Sequence, residues 1–145
     1  MQKNDSSQPG KSFNAFVTNS HMKLTCETIQ ARLKEVEQDH RIRILYACES
    51  GSRAWGFESQ DSDYDIRFLY VRNVEDYITV EAPRDVIEIP ADDVWDMNGW
   101  DLAKALKLLV KGNSNLLEWL HSPIQYIESR TLPDVIRPSQ KQCFF

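Results

Sequence analysis

The chain has 145 residues, of which 17 are Lys or Arg and 22 Asp or Glu, for a formal net charge of −5. A hydrophobic share of 41% and a charged share of 27% are ordinary for a globular protein, and the length suits one domain. With a pI near 5.2 the acidic balance argues against a bulk polyanion binder, and no apolar run approaches the roughly 20 residues of a membrane span.

In chain order, residues 1–21 are polar, carry Pro and Gly without apolar periodicity, and read as a flexible N-terminal arm. A helix is expected from Thr25, which can cap it, with Ile29, Leu33 and Val36 as its inward stripe. Arg41 to Glu49 begins with strict alternation and turns wholly apolar, as a strand entering a core does. Gly51-Ser52 breaks that strand, and Arg53 to Phe57 suits a short helical turn. Asp63 to Val71, rich in aromatic and β-branched residues, is the strongest strand pattern in the chain. Val74 to Val80 suits a short helix, and Asp85–Ile89 and Asp93–Met97 suit two strands joined at Pro90-Ala91-Asp92. Asp101 to Lys111 reads as a helix with Leu102, Leu106 and Leu109 inward and Gly112 as its stop. Ser114 to Leu120 reads as another helix, ending before Pro123. The pattern fades after about Tyr126, which divides the chain into a core over 22–127 and an irregular tail over 128–145.

Secretion is not expected, because the N-terminus lacks an apolar signal core. Cys26, Cys48 and Cys143 are odd in number and have no C-x-x-C spacing, so a reducing cytoplasm is the expected setting. His21, His40 and His121 are scattered without a ligand spacing.

One segment carries chemistry: Gly51-Ser52, then ten residues, then Asp63-Tyr64-Asp65. In a strand, residues i and i+2 project to one face, which sets Asp63 and Asp65 together about 6.6 Å apart along the strand. Two such carboxylates repel unless a cation lies between them, and hard oxygen donors suit Mg²⁺ or Mn²⁺. A strand end that opens a helical turn, with a serine hydroxyl beside it, suits a phosphate. Carboxylates for a metal beside an anion site describe phosphoryl or nucleotidyl transfer. Three plainer readings compete with this one. An EF-hand loop starting at Asp61 fails, because Ile66 and Arg72 stand where Gly and Glu are needed. Asp63 could cap a turn while Asp65 pairs with Arg67, and Gly51-Ser52 alone is only a turn signal.

Gly51-Ser52 with Asp63-x-Asp65 resembles the signature of the DNA polymerase β-like nucleotidyltransferase superfamily. The strings GSRAWGF (51–57), SDYDIRFLYV (62–71), NGWDLAKALKLL (98–109) and LLEWLHSPI (116–124) resemble one bacterial and phage branch, the predicted nucleotidyltransferases linked to RNA repair. The resemblance spans roughly residues 24–126 and implies an α+β fold, a small mixed β-sheet flanked by helices, with the paired Asp on a central strand. Members of this branch carry a further helical region after the Ser-Pro-Ile segment, which the tail over 128–145 is not expected to supply. The implied reaction moves a nucleoside monophosphate from an NTP to an acceptor hydroxyl on RNA, tRNA or protein, with release of pyrophosphate. The alternatives are an antitoxin-type minimal nucleotidyltransferase that acts on or binds a toxin partner, and a non-catalytic NTP-binding remnant.

The superfamily uses three carboxylates, so a third is sought among Glu88, Asp92, Asp93, Asp96 and Asp101. Asp96 lies inside the apolar segment Val94-Trp95-Asp96-Met97, where an unpartnered charge is costly, and is preferred; Glu88 is the runner-up on the same ground. Asp101 is explained by the helix it opens. Asp63, Asp65 and Asp96 are thus the expected catalytic and metal-binding residues, with Mg²⁺ or Mn²⁺ as cofactor. Gly51, Ser52, Arg53, Arg67 and Lys104 are the candidate nucleotide contacts. Arg53 could equally be a solvated turn residue, Arg67 a structural partner of the Asp pair, and Lys104 part of a solvated stripe with Lys107 and Lys111. Trp95, Trp100 and Trp119 read as core, whereas Trp55 in the turn after Gly51 is a candidate stacking platform.

Overall fold

A computed structural model describes residues 24–59, 62–90 and 94–128. The predicted arm over 1–21 lies outside these residues, as do Asp92, Asp93 and everything beyond Glu128. The elements are α1 (Cys26–His40), β1 (Ile42–Glu49), a 3-10 turn (Ser52–Trp55), β2 (Tyr64–Arg72), α2 (Val74–Tyr77), β3 (Val86–Ile89), β4 (Trp95–Asp101), α3 (Leu102–Val110), α4 (Ser114–Leu120) and β5 (Gln125–Glu128). The strands form one mixed sheet in the order β3-β4-β2-β1-β5. Only β2 and β4 run parallel; the other pairs are antiparallel. The fold is therefore the expected α+β class.

Thr25 caps α1 by accepting from the Thr28 N–H at 3.3 Å, and Ile29, Leu33 and Val36 are its buried residues. They pack on one sheet face with Ile42, Ile44, Ile66, Phe68, Tyr70 and Met97. Helices α3 and α4 cover part of the other face, over Leu45, Tyr46, Cys48 and Leu69. Leu45 and Tyr46 are sequential yet share that face because the β1·β2 register shifts between Ile44 and Tyr46, a bulge that re-aims one residue. The Glu37 carboxylate accepts the Ile44 N–H there at 2.6 Å.

Several boundaries differ from the sequence reading. Strand β2 starts at Tyr64, so Asp63 lies in its approach and is exposed. Helix α2 is a single turn, and β4 runs on to Asp101 where the sequence pattern stops at Met97. In α3, Leu102 and Leu109 of the predicted stripe pack on the core, but Leu106 is 42% exposed and Ala105 is buried. Asp101 caps α3 by accepting the Ala103 N–H at 2.8 Å, and the small Ala105 lets the helix lie close to the sheet beside Leu102, Leu108 and Leu109. Strand β5 escapes a pattern reading because four residues carry too little periodicity. Its pairing with β1, Ala47 against Ile127, is what makes it a strand.

Candidate active site

Parallel pairing of β2 with β4 sets Asp65 directly against Asp96 and Arg67 against Asn98. Alternation then places Asp65 and Arg67 on the face of Leu69, and Asp96 and Asn98 on the face of Trp100, which is the α3–α4 side of the sheet. Neighbouring strands lie about 4.8 Å apart, so two carboxylates meet at the end of the sheet where β2 begins. Arg67 binds both: its guanidinium lies 2.7 Å from Asp96 Oδ2 and 3.7 Å from Asp65 Oδ1. Burial pushes the Asp65 carboxyl above its usual range; Arg67 opposes that shift, and the charges of Asp96 and Asp63 add to it.

Gly51 follows β1 at the same end. A Cβ built on it would stand 1.6 Å from Asp65 Oδ2, so only a glycine lets the carboxylate lie against the backbone of the turn. The Ser50 N–H donates to the Asp65 carbonyl at 2.8 Å. The turn is tied to the start of β2 from its far side as well. Arg53 donates to the Ser62 carbonyl at 2.6 Å and to that of Asp63 at 3.3 Å, and its guanidinium lies 4.1 Å over the Tyr64 ring. Ser52 Oγ lies 3.4 Å from Ser62 Oγ. Arg53 therefore holds together the two segments that carry the Gly-Ser turn and Asp63.

Glu49 was missed by sequence reasoning. Its carboxylate is fully buried, accepts the Asp65 N–H at 2.8 Å and accepts the Tyr126 hydroxyl at 2.7 Å. Burial raises its pKa, and these two donors offset part of the rise. The same buried-charge argument that selects Asp96 would have selected Glu49, the one charge ending the apolar run from Ile44 to Cys48.

The remaining candidates are placed elsewhere. Lys104 pairs with Asp85 at 3.2 Å, near the end of β4 opposite Asp96. Glu88 lies on the edge strand β3 across from Asn98, with a side chain 66% exposed and 3.8 Å from Arg84. Asp101 caps α3 and accepts the Tyr77 hydroxyl at 2.8 Å. Trp55 is exposed on its turn, while Trp100 stacks on the buried Trp119, ring centroids 4.0 Å apart.

Asp65 and Asp96 carry hard oxygen donors, the kind Mg²⁺ or Mn²⁺ takes, and Asp63 stands just before β2. Among the described residues no three His, Cys, Asp or Glu side chains are gathered closely enough to hold an ion; Arg67 pairs with both Asp65 and Asp96. No helix among the described residues is long and apolar enough to cross a membrane.

Over 112 residues the chain is 52% identical to the uncharacterized protein YcgL of Bacillus subtilis (strain 168), a match covering 77% of this chain and 43% of YcgL. The chain thus spans less than half the length of that relative. No solved structure matches. Residues 26–145 match the RNA repair pathway DNA polymerase beta family, RlaP. That match takes in most of the chain, including Gly51-Ser52, Asp65 and Asp96, and the chain belongs to that family.

Proposed function

We propose that the protein transfers a nucleoside monophosphate from an NTP to an acceptor hydroxyl, with an RNA end as the acceptor that the family's description favours. The observation that carries this reading is the register of Asp65 with Asp96 on adjacent parallel strands, beside a Gly-Ser turn that touches the Asp65 carboxylate. In the reaction the acceptor oxygen bonds to the α-phosphorus, the bond from that phosphorus to the β-bridging oxygen breaks, and pyrophosphate leaves. The acceptor's proton passes to solvent or to a carboxylate. Asp65 and Asp96, joined by Asp63, would hold Mg²⁺ or Mn²⁺. When bound, such ions supply charge that stabilises the attacking and leaving oxygens. Ser52 and the turn backbone receive the β- and γ-phosphates. Arg67, which pairs with Asp96 and Asp65, would be free to reach a phosphate were those acids neutralised by a bound cation. Glu49 and Arg53 keep Asp65 and the turn in place, and because the acceptor oxygen attacks the α-phosphorus directly, no side chain acts as a covalent nucleophile.

The test incubates the full chain with each labelled NTP, Mg²⁺ or Mn²⁺, and pools of RNA, tRNA and protein. Label transfer with pyrophosphate release is expected, and loss of that transfer in an Asp63→Asn, Asp65→Asn double variant. Turnover unchanged in the double variant would overturn the mechanism. Metal-dependent NTP binding without pyrophosphate release would identify a non-catalytic binder.

A further inference from the structure

Arg67 follows Asp65 by two residues on β2 and so shares its face of the sheet. The β2·β4 register sets it against Asn98, yet its guanidinium turns back toward the start of β2. There it donates to Asp96 Oδ2 at 2.7 Å and to the Asp96 carbonyl at 3.0 Å, and to the Ile66 carbonyl at 3.2 Å. Asp65 Oδ1 lies 3.7 Å away. The Arg67 side chain is 18% exposed, against 32% for Asp65 and 43% for Asp96. The cation therefore lies deeper than the acids it answers, and a partly buried pair of this kind is screened less than a surface one.

A divalent cation drawing on these two carboxylates meets a guanidinium already seated on them, and the two positive charges repel. In the free protein the acids are thus answered from within. Phosphate changes the balance, because a guanidinium takes phosphate oxygens as a two-pronged donor. Arg67 and Asp96 also line a cavity of about 380 Å³ with Ser50 and Asn98. That space lets the guanidinium swing off the acids without repacking the core.

We infer that Arg67 is a built-in counter-ion: it holds down the affinity of Asp65 and Asp96 for a divalent cation in the free protein and passes to phosphate when a nucleotide binds. Cation and triphosphate each release the partner that the other needs, so each tightens the other, and such coupling is reciprocal. The inference rests on the proposed nucleotidyl transfer for its two ligands. A purely structural ion pair behaves differently. Its loss would loosen the β2·β4 end and weaken cation binding, whereas loss of a counter-ion strengthens it.

The test measures Mn²⁺ binding to the full chain without nucleotide, from the electron paramagnetic resonance of free Mn²⁺. Equilibrium dialysis then gives the affinity for a non-hydrolysable ATP analogue with and without Mn²⁺. Arg67→Met is expected to bind Mn²⁺ alone about tenfold more tightly than wild type, within the usual range of coupling between sites. The factor by which Mn²⁺ tightens the analogue should shrink by a similar amount. Arg67→Gln, which keeps a donor for the backbone carbonyls, should show the same gain where Arg67→Met does not fold. Arg67→Lys, which keeps the charge, should stay close to wild type. Mn²⁺ affinity unchanged or weaker in the neutral variants, an equal gain in Arg67→Lys, or a gain that survives Asp65→Asn in the same chain would overturn the counter-ion while leaving the transfer reaction intact. Failure of the wild-type protein to bind the analogue with or without Mn²⁺ would overturn both.

Discussion

The backbone N–H of Asp65 donates to the buried carboxylate of Glu49 at 2.8 Å, so one acid is held in position by another that never reaches the surface. Glu49 in turn is anchored by the Tyr126 hydroxyl; its own N–H donates to the Ile124 carbonyl at 3.0 Å, and its carbonyl accepts the Ser122 hydroxyl. Strand β5 is thereby linked to Asp65 through Glu49 of β1. Glu49→Leu is expected to leave the Asp65 N–H and the Tyr126 hydroxyl unpaired, at a cost of about 1–3 kcal/mol for each group. Glu49→Gln keeps one acceptor for Asp65 and an amide that can donate to Tyr126, so its loss should be clearly smaller. Urea denaturation of both variants checks this, and equal losses would show that packing volume alone matters at position 49.

Gly51→Ala is expected to damage activity far more than stability. The added Cβ would occupy space 1.6 Å from Asp65 Oδ2, so the carboxylate or the turn must move, and a displacement near 1 Å at a reacting centre can cost about a hundredfold in rate. The turn is partly exposed, so the melting temperature should change little. Nucleotide turnover and thermal melting measured on one preparation distinguish this from general unfolding.

Gly99 gives the opposite case. A Cβ there would stand 2.1 Å from Phe68 Cε2, in the core under α1, where overpacking costs about 1–3 kcal/mol. Gly99→Ala should therefore be destabilised, and Phe68→Leu in the same chain should recover part of the loss. Additive losses in the double variant would refute the contact as the cause.

Asp65 carries a stability penalty with a definite pH dependence. Its folded pKa is raised, first by burial, so the folded state keeps a proton to higher pH than the unfolded chain does. Stability consequently falls as pH rises from the ordinary aspartate pKa, about 4, through the raised one, and the full penalty stands above that. Asp65→Asn without metal should be more stable than wild type at neutral pH, and the gain should vanish below about pH 4. Denaturation at the two pH values decides it; a gain that persists in acid would come from packing and not from charge.

Metal and nucleotide should stabilise the protein together. A ligand that binds only the folded state adds about 2.7 kcal/mol at a hundredfold excess over its Kd, and Mg²⁺ in carboxylate sites borrows ligands from substrate phosphates. Mg²⁺ with a non-hydrolysable NTP should thus raise the Tm more than the sum of each alone, and Asp65→Ala should abolish that excess. An excess that survives the substitution would place the ion elsewhere.

Read alone, the sequence determined the elements with a strong local signal. Thr25 before Ile29, Leu33 and Val36 sufficed for α1, and the β-branched and aromatic run after Asp63 sufficed for β2. Gly51-Ser52 and Asp63-x-Asp65 were legible as a candidate site because the chemistry they suggest is carried by residue type and short spacing. Tertiary structure decided what depends on residues far apart in the chain. The parallel register that sets Asp96, not the edge residue Glu88, against Asp65 belongs to the β2·β4 pairing. Lys104 is drawn to Asp85 at 3.2 Å because α3 starts at the far end of β4. Glu49 becomes a buried support only when β5 brings Tyr126 to within 2.7 Å of it, 77 residues along the chain. Local propensity cannot encode such contacts, since each arises from two segments whose meeting is set by the hydrophobic faces of the whole sheet.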